Sequence, residues 1–293
     1  MWCIVGFRRI IKNLLPDEWY LKMEFRRKVG YDLNLDAPKT FNEKLQWLKL
    51  YNRRPEYTNM VDKYLVRSFI AEMIGEKYLV PLLGVWDNQD DIEFDKFPDK
   101  FVLKCNHNSG LGMCICKNKS DLDFHKVRSD LKKGLNQNYY LTAREWPYKN
   151  VKRRIVAEEY LPNEISDEKR LNDYKVLCFN GEPKLIEIHQ EISIGNFTQD
   201  FYDCDWNKMD ISQPGFPKSD MILERPVFLD KMLELSKNLA VGIPHVRVDW
   251  YYTKSQLFFG EMTFFDGAGF IPFNSDNDLR LGKMITLPNI KII

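Results

Sequence analysis

Two periodicities divide the chain. Up to about residue 75 the apolar positions recur at helical spacing. Phe41, Leu45 and Leu48 share one face of "TFNEKLQWLKLY", and "MVDKYLVRSFIAEMIG" repeats the pattern as far as Gly75, a natural helix stop. Thr40 followed three residues later by Glu43 is a capping-box pattern, which sets a helix start. Residues 78–86, "YLVPLLGVW", read as a short buried strand or loop broken by Pro81. From residue 101 onward Val, Ile, Phe and Tyr come in short runs, at 101–105, 113–116, 154–161, 174–179, 184–192, 246–252 and 257–265, and such runs predict strands. Helical patterns lie between them. One follows Ser120 as its expected N-cap; another covers 225–242, with Pro226 just inside its start and Gly242 just past its end. The polar stretches 162–173 and 203–220 read as long connections of the kind that form lids or substrate loops.

Composition narrows the picture without deciding it. The chain has 293 residues, 44% of them hydrophobic, enough for one large domain or two to three lobes with a sizeable core. A net charge of +1 gives no broad electrostatic case for nucleic acid as a partner. The aromatic content of 14% fits aromatic-rich cores or a sugar-handling surface equally. Six cysteines, at 3, 105, 114, 116, 178 and 204, mostly fall in apolar runs and form no CxxC pair, so zinc-ribbon spacing is absent. Cys114 and Cys116 are two apart, on one face of a strand. The expectation is buried, reduced thiols and a reducing, cytoplasmic compartment. The start, "MWCIVGFRRIIKNLL", lacks the features of a signal peptide and reads as an amphipathic helix, packed on its own domain or lying peripherally on a membrane surface. No apolar run reaches the ~18 residues of a membrane span.

The candidate chemistry centres on "FVLKCNHNSGLGMCICKNK", residues 101–119. A P-loop needs Gly-Lys-Ser/Thr opening a helix, but here Lys104 precedes the glycines. A Rossmann loop needs GxGxxG between strand and helix, but only Gly110 and Gly112 are present and "MCICK" is strand-like. What remains is strand–loop–strand, a hairpin whose tip could cover phosphates with backbone N–H groups, or an ordinary Asn/Gly-rich turn. Further along, "RIVAEEYL" ends in two carboxylates. "DYKVLCFNGEPKLIEIHQEI" is a hairpin carrying Lys175, with Asn180–Gly181 at its turn. "HVRVDWYYTKSQLFFGEMTFFDGAGF" is a strand pair carrying Arg247 and Asp249 on one strand and Glu261 on the other, placed to meet across a ladder. Mg²⁺ is typically held by one or two carboxylates plus substrate phosphates, which this pair could supply.

This order of motifs resembles the ATP-grasp superfamily. Within it, "FVLKCNHNSG", "DYKVLCFNGEP", "RVDWY" and "FGEMTFFDGAGF" resemble the TupA-like branch, named for teichuronopeptide biosynthesis, from about residue 35 to about 285. The resemblance implies an α+β fold, with a helical N-terminal region (1–75) and two α+β lobes (76–160 and 161–293) clasping the nucleotide between antiparallel sheets. It implies that Lys104 contacts the α- and β-phosphates of ATP and that Ser109, Gly110 and Gly112 cover the β- and γ-phosphates. Glu158, Glu159 and Leu161 would form the adenine linker, largely through backbone groups. Lys175 would face the nucleotide from the lower sheet. Asp249 and Glu261 would ligate Mg²⁺, with Thr263 standing where many relatives carry Asn, which bears on a second metal. Arg247 could hold a phosphate oxygen or an acyl group. The implied activity is ATP- and Mg²⁺-dependent activation of a carboxylate, from an amino acid or sugar acid, as an acyl-phosphate that an amine attacks. The implied setting is decoration of a cell-surface polysaccharide precursor with an amino acid. Two other readings stay open: a capsule or O-antigen glycosyltransferase using a nucleotide-sugar, for which Asp203-x-Asp205 mimics a DxD metal motif, and a non-catalytic nucleotide-binding protein.

Overall fold

The structure, a computed structural model, describes residues 14–163, 171–193 and 195–293. The predicted amphipathic start falls almost wholly outside these, as does most of the predicted connection 162–173.

The N-terminal part is helical: α1 (Asp17–Val29), α2 (Phe41–Tyr51), α3 (Glu56–Val61) and α4 (Val66–Met73). The predicted capping box starts α2. Thr40 Oγ1 accepts from Glu43 N at 3.2 Å, and Glu43 Oε2 accepts from Thr40 N at 3.1 Å. The tract predicted as one helix up to Gly75 is two. Asp62 breaks it with extended backbone, and its Oδ1 accepts from Tyr64 N (2.8 Å) and Leu65 N (3.2 Å), competing with helical bonds as aspartates do.

A four-stranded sheet follows, β1 (Leu82–Trp86), β2 (Phe101–Cys105), β3 (Cys114–Cys116) and β4 (Ile155–Glu159), in the order β1-β4-β2-β3 and antiparallel throughout. Phe101, Leu103, Ile155 and Ala157 on its inner face pack with Val127 and Leu131 of α5 (Phe124–Asn136) as a separate apolar core. The N-cap of α5 is Asp123, whose side chain accepts from Lys126 N at 3.0 Å, and not Ser120 as the sequence suggests; Ser120 lies in a 3₁₀ turn upstream.

After the short α6 (Tyr140–Ala143), a six-stranded antiparallel sheet is formed by β5 (Asp173–Phe179), β6 (Glu182–Ser193), β7 (Asn196–Tyr202), β8 (Lys208–Met209), β9 (His245–Thr253) and β10 (Gln256–Thr263), in the order β10-β9-β5-β6-β7-β8. Asn180 and Gly181 take the positive φ values (51° and 86°) that the predicted tight hairpin requires. The apolar face of this sheet, with Val176, Ile186, Ile188, Val248 and Trp250, is covered by α7 (Leu229–Ala240), where Trp250 Nε1 donates to Ser236 Oγ at 2.8 Å. That helix is shorter than the predicted 225–242: Pro226 belongs to the turn leading in, and its carbonyl accepts from Leu229 N. The chain closes with α8 (Ser275–Met284), packed on α2. Helices α1–α4 share one core with the six-stranded sheet. The five cysteines among the described residues are free thiols.

Candidate active site

Because strand side chains alternate, the face of the six-stranded sheet opposite α7 collects Asp173 and Lys175 from β5, Glu187 and His189 from β6, and Arg247, Asp249 and Tyr251 from β9. Lys175 is paired with Asp249 on one side and Glu187 on the other. Glu261 joins this face only through a bulge. Phe259 pairs with Trp250 and Met262 with Val248, so Gly260 and Glu261 together oppose Asp249. Without the extra residue, Glu261 would share the buried apolar side of Phe259. The register thus sets Glu261 opposite Asp249, and Arg247 reaches both.

Arg247 is the hub. Its Nε donates to Asp249 Oδ1 and one terminal nitrogen to Asp249 Oδ2, both at 2.7 Å; it also bonds Asp266 and reaches Thr263 Oγ1 at 3.3 Å and Glu261 Oε1 at 3.6 Å. Lys175 Nζ donates to Asp249 Oδ2 at 2.8 Å and to Asp173. Burial pushes the Asp249 carboxyl up, but Arg247 and Lys175 more than offset this and bring it down to about 2. Burial lowers Lys175 in the same way, yet Asp249 raises it further, so its ammonium is held firmly. Glu187 is buried and held below its ordinary range: burial raises it, and the bond to His189 reverses that.

Above this floor, the small sheet presents Lys104 and Val102 on the face away from α5, with Ile115 beside Val102. Lys104 Nζ lies 2.5 Å from Glu158 Oε2, and Arg67 lies 3.4 Å from Glu158 Oε1. Leu82, Met113 and Ile115 remain exposed nearby, an apolar roof next to a cation. Ser109 and Gly110 form the exposed hairpin tip, with Gly110 at φ 81°. Gly112 does not lie at the tip. It is buried against α5, where a Cβ would come within 3.0 Å of the Gly134 Cα and the Asp130 carbonyl. Glu159 N donates to Pro81 O at 3.0 Å, and Leu161 is half-buried just beyond β4.

One residue escaped the sequence reading. Lys63, in the break between α3 and α4, donates to the Asn108 carbonyl at 3.0 Å, where the hairpin begins, and lies 3.3 Å from Glu261 Oε2. A single ammonium thus bridges the glycine-rich hairpin and the floor. Burial raises the Glu261 carboxyl, and Lys63 first among its neighbours pulls it below the ordinary range. The signal was the Asp62–Lys63 pair inside an otherwise helical pattern, which the periodicity alone conceals.

The face suits a hard divalent cation. Five carboxylates (Asp173, Glu187, Asp249, Glu261, Asp266) meet three cations (Lys63, Lys175, Arg247), and buried Asp173 Oδ1 and Glu187 Oε2 have no hydrogen-bond partner among the described residues. Burial, with Asp249 adding to it, raises Asp173. Asp249 accepts three N–H bonds out of about four lone-pair positions, so room for one further donor remains. Among the described residues no group of three His, Cys, Asp or Glu side chains forms a self-sufficient metal cage, so any Mg²⁺ here would draw its remaining ligands from phosphates and water. The DxD-like Asp203 serves its own loop: Oδ1 accepts from Asp205 N (3.0 Å) and Asn207 N (2.8 Å), and Oδ2 from the Asn207 side chain, in the β7–β8 connection.

A helical region followed by two antiparallel α+β lobes, one carrying a glycine-rich hairpin and the other a lysine, an arginine and paired carboxylates, has the organisation of the ATP-grasp fold. The chain belongs to the TupA-like ATP-grasp family, whose model matches residues 43–286. Solved structures with similarity include D-alanine–D-alanine ligase from Bacillus anthracis complexed with ATP (15% identity, 70% of this chain and 55% of that one, TM-score 0.41). The corresponding ligase from Helicobacter pylori aligns at 12% identity over 85% of this chain and 70% of that one, TM-score 0.44. The ATP-grasp ligase PsnB, in complex with a phosphomimetic variant of its minimal precursor, Mg and ADP, aligns at 11% identity over 76% and 57%, TM-score 0.39. The chain thus spans little more than half the length of the Bacillus anthracis ligase. No curated protein matches it. No helix among the described residues is long and apolar enough to cross a membrane.

Proposed function

We propose that the protein is an ATP- and Mg²⁺-dependent ligase that activates a carboxylate as an acyl-phosphate and joins it to an amine. The observation that carries this reading is the convergence of Lys175, Arg247, Asp249 and Glu261 on one buried sheet face, tied by Lys63 to the hairpin above.

Each residue has work to do in such a reaction. The apolar roof of Val102 and Ile115, with the linker Glu158–Leu161, takes the adenine; Lys104, Ser109 and Gly110 take the phosphates from above and Lys175 from below. Gly112 anchors the hairpin to α5 and thereby sets its height. Asp249, Glu261 and Thr263 would hold Mg²⁺, which when bound neutralises phosphate charge and aligns the transfer. Arg247 orients the substrate carboxylate. One of that carboxylate's oxygens attacks the γ-phosphorus, the bond to the β-phosphate oxygen breaks, and ADP leaves with its electron pair. The amine nitrogen then attacks the acyl carbon, phosphate leaves with the oxygen, and the nitrogen gives up a proton. Positioning and charge stabilisation carry such steps, with little demand on side-chain acid–base chemistry. In the finer reading, drawn from the family resemblance, an amino acid is joined by an amide to a cell-surface polysaccharide precursor.

The test is ADP release on adding single carboxylates, the twenty amino acids and the hexuronic acids, with hydroxylamine as a trap for the acyl-phosphate. Hydroxamate formed in step with ADP supports the ligase. Consumption of a UDP-, GDP- or CMP-sugar with no carboxylate-dependent ADP release overturns it.

A further inference from the structure

The floor accounts for ATP and for a carboxylate, and leaves the nucleophile to be placed. Glu145 lies between α6 and a short 3₁₀ turn, Trp146–Tyr148. It is 7% exposed, and among the described residues its carboxylate has neither a hydrogen bond nor an ion pair. Its oxygens are not among the fully enclosed unbonded side-chain atoms, so they keep contact with solvent and stay open to an incoming donor. The cation beside it is committed elsewhere: Lys49 Nζ donates to the Ala143 carbonyl at 3.0 Å and the Ala268 carbonyl at 2.6 Å.

These bonds also locate Glu145. Ala143 is two residues before it, and Ala268 lies in the turn Asp266–Gly269, whose Asp266 holds Arg247. Tyr57 ties the same segment to the floor again, stacking on Trp146 at 5.9 Å and on Phe264, just past β10, at 4.0 Å. Glu145 therefore adjoins the Arg247 corner. Tyr139 and Tyr148 flank it, half-buried, their rings edge to face with centroids 4.8 Å apart. Their hydroxyls also have no hydrogen-bond partner among the described residues. Tyr148 N donates to the Glu145 carbonyl at 3.2 Å, and burial first, then the charges of Glu145 and Glu261, raise both phenols.

We propose that Glu145, flanked by Tyr139 and Tyr148, receives the amino group of the acceptor, so that this corner selects an amine as the nucleophile. The inference rests on the ligase reading and deepens it. An amine or ammonium supplies several N–H donors and opposite charge to an unpartnered carboxylate, and the two hydroxyls can share them. A second carboxylate would meet repulsion from Glu145 and Glu261. The corner thus divides the two substrates by charge, the carboxylate to Arg247 and the amine to Glu145.

The experiment compares the parent with Glu145→Gln, first with hydroxylamine as a small neutral trap and then with amine probes: glucosamine, galactosamine and the standard amino acids. The parent is expected to couple at least one probe. The variant is expected to keep its hydroxamate formation and its KM for ATP, while kcat/KM for that amine falls by about 100-fold, as when one partner of a buried charge pair is removed. Glu145→Asp, which keeps the charge, is expected to restore part of the loss and serves as the working variant if Glu145→Gln does not fold. Unchanged amine kinetics in the variant overturn the inference. So does an equal loss of hydroxamate and amide, which indicates a structural role, or a parent that forms hydroxamate but couples none of these amines. A parent that forms no hydroxamate with any carboxylate tells instead against the ligase reading itself.

Discussion

Asp249 accepts N–H bonds from Arg247 and Lys175, and this decides what its amide variant does. From sequence, two carboxylates on paired strands suggest mutual repulsion and a tolerant apo protein. The geometry reverses that for Asp249, because two buried cations depend on it. Asp249→Asn should lower stability by about 3–5 kcal/mol in urea unfolding, as breaking a buried pair does. Glu261, with its side chain 37% exposed, should lose less with Gln, about 1 kcal/mol, as Lys63 and Arg247 give up an ion-pair partner. Both variants should lose ADP release. Retained turnover in both would remove these carboxylates from the site. By the same logic Lys175→Met should lower the melting temperature, since Asp173 and Asp249 would lose their shared ammonium; Lys104, 22% exposed, is the better conservative probe. His245 makes a separate test. Its ring packs at 5.0 Å from both Phe41 and Phe179, and burial pushes it down to about 3. The unfolded chain takes up this proton near pH 6.5 and the folded chain does not. Its contribution to stability is therefore intact above pH 6.5 and is lost as pH falls towards 3, at about 1.4 kcal/mol per pH unit. His245→Phe should flatten that part of the stability–pH curve, and an unaltered slope would contradict the assignment.

At the level of elements, the strands bearing Lys104, Lys175 and Arg247 were legible because β-runs and basic residues coincide there. The bulge at Gly260–Glu261 was not, since it follows from register, which a single strand does not encode. The helix break at Asp62 was hidden for a related reason: apolar spacing continued across it while a side chain rewrote the hydrogen bonds. Helix α2 shows a third case. The sequence pointed to Phe41, Leu45 and Leu48, yet Asn42, Gln46 and Lys49 are buried as well and donate to the carbonyls of residues 268, 269 and 271. Those partners lie more than 200 residues away, beyond any local pattern. The α5–hairpin contact yields the element-scale prediction. Gly134→Ala gains about 1 kcal/mol of helix propensity. Its Cβ, however, would come within 2.7 Å of Cys105 Sγ and 2.8 Å of the Leu111 carbonyl. Overpacking of about 1–3 kcal/mol should win. The variant should be less stable in urea unfolding and have a higher KM for ATP, because the hairpin is displaced. A more stable variant with unchanged KM would show that the contact does not set the hairpin.

At the scale of the whole molecule, Lys63 touches both the hairpin and the floor. Lys63→Met keeps most of the side chain and removes the bridge. It should raise the KM for ATP about tenfold or more, the worth of a hydrogen bond to a charged group, with little change in melting temperature. An unchanged KM would mean that the bridge is incidental to nucleotide binding. The α+β plan with antiparallel sheets came with the family resemblance that the order of motifs carries. The sharing of one core by the N-terminal helices and the larger sheet did not, because helical periodicity marks a buried face without naming what buries it. The central claim is that a carboxylate is activated by phosphorylation, and isotope transfer tests it most directly. With the carboxylate that supports ADP release supplied in ¹⁸O-labelled form, the account predicts one labelled oxygen in the inorganic phosphate of each turnover; ADP formed with unlabelled phosphate would contradict it.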